Sequence, residues 1–259
     1  ASVIFGGLAR IAAVAAKLVP SMTVVYVGTA SFILFDHLSE LPGYLSLIVS
    51  DAFTGLAAAG GVIGTVIATG VRRGAFSNEA GIGTEAMAHG AAKTTEPIRE
   101  GLVAMMGPII DTLIICTATA LVILVTGAWQ AGDASGVTMT SSAFATALPG
   151  IGEYILIVCV FFFSITTIFS YSYYGSKCLG FLIGAENKHY YNYLIVIMTV
   201  VASMLSLDAM IGLVDGAFAL MAIPTMVSSI ILAPRVVAAS KKYFDQLKTS
   251  TINNRLEYP

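Results

Sequence analysis

The sequence predicts an all-α integral membrane protein, and three observations carry that prediction. Of the 259 residues, 57% are hydrophobic and 11% charged, with a mean hydropathy of +0.86, against about 25% charged residues in soluble domains. The apolar residues gather into runs long enough to cross a bilayer, which takes about 20 residues of helix. The basic residues fall on alternate connections between those runs, as the positive-inside rule requires of a multi-pass chain.

Taken in order, residues 1–19 read as a short interfacial helix. Arg10 and Lys17 share one face among Ile4, Phe5, Leu8, Ile11 and Val14. The chain starts at Ala1 and shows no charged region followed by a short apolar core, so no signal peptide is read there and a start within a longer protein is expected. Residues 18–35 form a first span. Residues 36–55 are a polar connection with Asp36, His37, Glu40 and Asp51. Residues 56–69, rich in Gly and Ala, lead into an interrupted helical stretch that ends near residue 92. After a charged loop at 93–100 comes a clear span at 101–127. A loop without Lys or Arg follows at 128–150. Spans at 151–174, 190–205 and 209–233 complete the set, with a loop at 175–189 and a polar, basic tail at 234–259. About six transmembrane helices in a single transmembrane domain are expected, one of them unwound.

Charge orients them. With the N-terminal helix in the cytoplasm, Arg10, Lys17, Lys93, Arg99, Lys177, Lys188, Arg235, Lys241, Lys242, Lys248 and Arg255 are all inside. Only Arg72 and Arg73, in the interrupted helix, are left of the 13 basic residues. The outer connections hold Asp36, Glu40, Asp51, Asp133 and Asp208. The reading is a multi-pass protein of the cytoplasmic membrane with its C-terminus in the cytoplasm.

The interrupted stretch runs Gly70-Val-Arg-Arg-Gly-Ala-Phe-Ser-Asn-Glu-Ala-Gly-Ile-Gly-Thr-Glu-Ala-Met-Ala-His-Gly90. It places Arg72, Arg73, Glu79 and Glu85 in an apolar region, where each charge costs about 2.5–3.5 kcal/mol on insertion scales. Glycine-broken, charged backbone is tolerated at that depth when it is buried in protein or lines a cavity. Breaking a helix there exposes N–H groups that suit a carboxylate and carbonyls that suit Na⁺. Residues 74–83 are expected to be that break. Gly74, Gly81 and Gly83 shape it, Phe76 forms a wall, and Ser77 and Asn78 offer side-chain hydrogen bonds. Glycines alone would equally serve close helix packing; the Arg, Asn and Glu beside them favour a site.

From Arg73-Gly-Ala-Phe-Ser-Asn-Glu-Ala-Gly-Ile-Gly83 through Ala88-His89 and Lys93-Thr94, the stretch resembles the signature of the sodium:alanine (alanine or glycine:cation) symporter family. Gly101-Leu-Val-Ala-Met105, Asp111-Thr-Leu-Ile-Ile-Cys116, Ser172-Tyr-Tyr-Gly-Ser-Lys-Cys178 and Met221-Ala-Ile-Pro224 continue the resemblance in family order. The resemblance implies a transporter of the APC superfamily with a LeuT-like fold of two inverted five-helix repeats. It assigns residues 1–55 to the end of the first repeat, 56–233 to the second and 234–259 to the tail. A missing N-terminal half of the carrier is implied as the partner of this chain.

The same resemblance assigns Thr166 and Thr167, in the span at 151–174, to sodium, and Thr167 with Tyr171 to the amino-acid pocket. Read without it, Ser164, Thr166, Thr167 and Ser170 are hydroxyls that ordinarily bond to backbone one turn back. Tyr171 stands where family members commonly have Trp, and Glu85 where a small residue is usual. Among the intramembrane acids, Asp111 serves the cation path or pairs with Arg72 or Arg73. Pairing is preferred, since two arginines at that depth need counter-charges. Asp215 is left open between a gate residue and a structural acceptor. Arg72, Arg73, Glu79 and Asp111 are thus read as gating or charge-pairing residues. His37, His89 and His189 fall at helix ends and Cys116, Cys159 and Cys178 on apolar helices, none of them at metal-ligand spacing.

Sodium-coupled symport of alanine or glycine is therefore the expected function, with Na⁺ as the co-transported ion and the lipid bilayer as surroundings. A channel, or a membrane assembly subunit without transport of its own, is the alternative. No His-Glu-x-x-His or Gly-x-Ser-x-Gly pattern supports an intramembrane enzyme. No basic cluster of the kind that grips nucleic acid occurs before the tail.

Overall fold

The computed structural model describes residues 7–54, 63–130 and 136–257. Expectations for Ile4, Phe5, residues 56–62 and Asp133, and for the side chains of Leu8, Asp208 and Arg255, lie outside what is described. Among the described residues the regular structure is helical throughout. The helices are α1 (Gly7–Phe35), α2 (Leu41–Thr54), α3 (Ile63–Asn78), α4 (Thr84–His89), α5 (Pro97–Val125), α6 (Val137–Ala147), α7 (Gly152–Ile183), α8 (Tyr190–Ala202) and α9 (Leu207–Glu257). Within α5, Ile109–Cys116 is wound as a π-helix. The stretch follows Pro108, whose ring and missing N–H disrupt regular α-winding. Thr117 Oγ1 donates to the Thr112 carbonyl across it, at 3.0 Å.

Among the described residues four helices are long and apolar enough to cross a membrane: Arg10–Phe35, Pro97–Val125, Gly152–Ile183 and Ala209–Thr249. They make this a multi-pass integral membrane protein. Their outward apolar faces fit that solvent; Phe181 and Leu220, for instance, are 91% and 72% exposed. α8 was read as a span over 190–205 but has 13 residues, about 20 Å at 1.5 Å per residue.

Several elements differ from the sequence reading, for physical reasons. The interfacial helix and the first span are one helix, α1, which runs through Pro20. The connection at 36–55 contains α2, because Asp36, His37 and Glu40 cluster at its start and leave Leu45, Leu47, Ile48 and Val49 to form a helix that also carries Asp51. The loop at 128–150 contains α6, whose Ala143 and Phe144 are fully buried; polar Ser and Thr disguised it. α7 continues past Tyr174 to Ile183, where Gly184 ends it at φ 96°. α9 extends through the basic tail to Glu257, since Ala, Lys, Gln and Leu there are good helix formers.

The chain divides into two compact units, one within residues 1–71 and 110–205, the other within 72–109 and 206–259. The first unit has a core of Ala30, Ile33, Val122, Ala128, Ala143, Phe144 and Leu156. There the Tyr26 ring stacks on Phe144 with centroids 5.7 Å apart, and its hydroxyl bonds to that of Thr119. Ser176 Oγ donates to Asn192 Oδ1 at 3.1 Å, joining α7 to α8.

The second unit aligns the end of α3 and the break along α9. Arg72 meets Asp215, Phe76 meets Phe218, and Gly83 lies against Thr225. The contacts advance in the same direction on both segments, so the two run parallel. His89 Nδ1 lies 2.7 Å from Glu100 Oε1, fixing the end of α4 to the start of α5.

Candidate functional site

The break expected within 74–83 is real and shorter than expected. α3 remains helical to Asn78, so Gly74 is a helix residue, and the non-helical backbone is residues 79–83. Glu79 at φ 51°, Gly81 at φ 81° and Gly83 at φ 95° take left-handed backbone. That region is costly for side-chain-bearing residues and makes Glu79 the sole non-glycine residue with positive φ among those described. Gly83 is required twice over. Its φ favours glycine, and a Cβ there would stand 2.8 Å from Thr225 Oγ1.

Left-handed turns of this kind point successive N–H groups into one concavity, an anion-binding nest. The concavity has an occupant from the same chain. Glu85 Oε1 accepts from the Gly81 N–H at 3.2 Å, and Oε2 accepts from the Gly83 N–H at 2.8 Å. Gly83 is also the residue that caps α4 and has no side chain to do it; the Glu85 carboxylate takes that duty, as the acid of a capping box does. Between them Thr84 is 2% exposed, and its Oγ1 is buried without a hydrogen-bond partner among the described residues.

On the α9 side, Phe76 and Phe218 hold their ring centroids 5.2 Å apart at 44°. One turn earlier Arg72 Nη1 lies 3.6 Å from Asp215 Oδ2, with the arginine 58% exposed and the aspartate 17%. The carboxylate placed against Arg72 is thus Asp215, which the sequence left open between a gate residue and a structural acceptor. Ser77 is exposed, and Asn78 is half-buried as the last residue of α3.

In the first unit, Thr166, Thr167 and Tyr171 lie on α7. The single hydroxyl proton of Thr166 is shared between the Phe162 and Phe163 carbonyls, at 3.0 and 2.9 Å. Thr167 donates to the Phe163 carbonyl at 2.9 Å, so both hydroxyls use their protons on backbone and keep lone pairs available to a cation. Thr166 is buried, Thr167 exposed, and the half-buried Tyr171 ring meets Tyr174 edge-on at 5.6 Å. Asp111 lies in the π-helical part of α5, half-buried. Among the described residues no cluster of three metal-ligating side chains occurs.

Sequence reasoning did not assign Thr84, Phe218 and Thr225, and it gave Glu85 no structural duty. Glu85 had a readable signal, an acid two residues after the glycine that opens a helix. The others depend on which helix α9 lies along, and no spacing in the chain reports that.

Long apolar helices make this an integral membrane protein, with a charged, left-handed break between two of its helical segments. The family model for the sodium:alanine symporter family matches residues 1–257, and the chain belongs to that family. It is 34% identical over 257 residues to the sodium/alanine symporter AgcS of Methanococcus maripaludis, covering 98% of this chain and 56% of that protein. It is 34% identical over 248 residues to the probable sodium/glutamine symporter GlnT of Bacillus subtilis, covering 95% and 52%. A similar match, 37% over 251 residues covering 95% and 55%, is to an uncharacterised transporter of Haemophilus influenzae. The chain thus spans about half the length of the curated relatives it matches.

Proposed function

We propose that this chain is part of a symporter that couples the entry of Na⁺ to that of a small neutral amino acid, alanine or glycine. The fold proposed is LeuT-like. In it α3, the break and α4 act as one discontinuous helix that opens the second repeat, and α8 is a sixth, short span. The membrane proposed is the cytoplasmic one, with the C-terminus inside. Relatives named as sodium/alanine and sodium/glutamine symporters support the coupling ion and leave the amino acid between those classes. The observation that carries this reading is the left-handed backbone at 79–83, charged and glycine-rich, between two helical segments.

In this proposal Gly74, Phe76, Ser77, Asn78, Gly81 and Gly83 line the substrate site. Gly74 does so as a helical residue that leaves room beside Phe76. On α7, the Thr166 and Thr167 oxygens are the proposed sodium ligands, and Thr167 with Tyr171 the proposed substrate contacts. Arg72, with Asp215, keeps α3 fixed along α9, while Arg73, Glu79 and Asp111 set the charge along the path. No covalent step is required: alternating exposure of the site to the two sides moves substrate and ion together.

The test is alanine and glycine uptake into proteoliposomes containing the complete reading frame, with an inward sodium gradient compared with potassium. Sodium-driven accumulation is expected, and Asn78→Ala should reduce it at least about tenfold, the scale of a lost hydrogen bond to a charged group. Solute flux indifferent to the cation would favour a channel instead.

A further inference from the structure

We propose that Glu85 is a tethered carboxylate that competes with the α-carboxylate of the transported amino acid for the Gly81 and Gly83 amides. The inference rests on the reading that the break at 79–83 lines the substrate site, and it names what sets affinity there. The competition follows from the donors. Gly81 N–H and Gly83 N–H point into one concavity, and each bonds a different oxygen of the same carboxylate, at 3.2 and 2.8 Å. An amino acid presents the same planar, two-oxygen anion, so it and Glu85 call on the same pair of donors. Charge-assisted bonds of this type are the strong ones, and a group tethered two residues away acts at an effective concentration of millimolar or more. A substrate carboxylate must therefore displace Glu85 to reach the nest.

The hydroxyl between them points to the same conclusion. Thr84 Oγ1 is buried and unpartnered among the described residues, although a buried hydroxyl without a hydrogen bond is costly. It is a donor the Glu85 carboxylate does not satisfy, and a ligand entering this turn would gain it. Capping of α4 alone explains one bond to Gly83; it does not explain the second oxygen on Gly81 or the unsatisfied hydroxyl beside it.

The experiment measures alanine affinity in the complete protein, by sodium-driven uptake and by equilibrium binding of radiolabelled alanine to the purified protein. The parent is compared with Glu85→Ala and Glu85→Gln. The expected result is an alanine KM and Kd lowered about fivefold or more in Glu85→Ala, the scale of an ordinary coupling between two groups. Glu85→Gln, which keeps an acceptor oxygen without the charge, should fall between. Alaninamide, which has no carboxylate, should compete equally well against parent and variants, a selectivity that a merely structural role would not produce. An unchanged or raised KM and Kd for alanine in variants that remain folded, or an equal change for alaninamide, would overturn the role of Glu85. Absence of both binding and uptake in the parent would instead bring down the carrier reading, and the competition with it.

Discussion

At the scale of single residues, the break at 79–83 places two demands on the chain that can be tested without transport. Gly83 holds φ 95° and has Thr225 Oγ1 where a Cβ would go. Gly83→Ala should therefore destabilise the protein by about 1–2 kcal/mol from backbone strain, with more from the displaced Thr225. The thermal midpoint in detergent should fall accordingly, and a midpoint equal to the parent's would show that the turn is not held as described. Thr84 predicts the opposite sign. Its buried hydroxyl lacks a partner, so the isosteric Thr84→Val removes a desolvation cost and should stabilise by about 1 kcal/mol. The same variant should weaken alanine binding if the hydroxyl serves the substrate. Stability up with affinity down distinguishes a binding group from a packing group. The glycines and Asn78 stood out in the sequence because each breaks a local rule for an apolar helix. Thr84 was not, because a threonine in a membrane helix ordinarily satisfies itself one turn back. That is what Thr166, Thr167 and Thr225 do here.

At the scale of elements, the informative feature is the parallel seam that the end of α3 and the break form with α9. Arg72 pairs with Asp215, one turn from the contact between Phe76 and Phe218. In water a pair this exposed on the arginine side would contribute little. In a membrane the alternative is an unpaired carboxylate among apolar helices, which costs more. Arg72→Glu should accordingly lower the yield of folded protein severalfold, and Arg72→Glu with Asp215→Arg should restore most of it, as read by monodisperse protein on size exclusion. Failure of the exchange to restore folding would show that the two charges act separately. Helix existence was legible for the long apolar stretches. Helix limits were not: α7 and α9 run well past the points where polar residues begin, because Ser, Lys and Gln continue a helix as readily as they end a span. α2 and α6 were hidden by the same ambiguity. The partner of Arg72 could not be read at all, since choosing between Asp111 and Asp215 requires knowing which helices are neighbours.

At the scale of the whole molecule, orientation is the property that charge alone decides, and α9 makes it testable. α9 has 51 residues, about 75 Å of helix at 1.5 Å per residue, against a hydrocarbon core of about 30 Å. Its first part, Ala209 to about Ala233, carries no charge apart from Asp215, whereas Arg235, Lys241, Lys242 and Lys248 follow within one further stretch. A helix of this length cannot lie wholly within the membrane along its normal, so the basic end must emerge. The proposed orientation, argued from the positive-inside bias, puts that end in the cytoplasm. On that orientation Asp36, between α1 and α2, lies outside. Single cysteines at Asp36→Cys and Lys242→Cys, introduced after replacing Cys116, Cys159 and Cys178, should therefore separate cleanly in intact cells. A membrane-impermeant thiol reagent should label position 36 directly and position 242 only after the membrane is opened. Labelling of position 242 from outside would invert the topology. It would also turn the break at 79–83 end for end, so that α3 rather than α4 opens toward the cytoplasm and the Glu85 carboxylate caps the amides from the outer side.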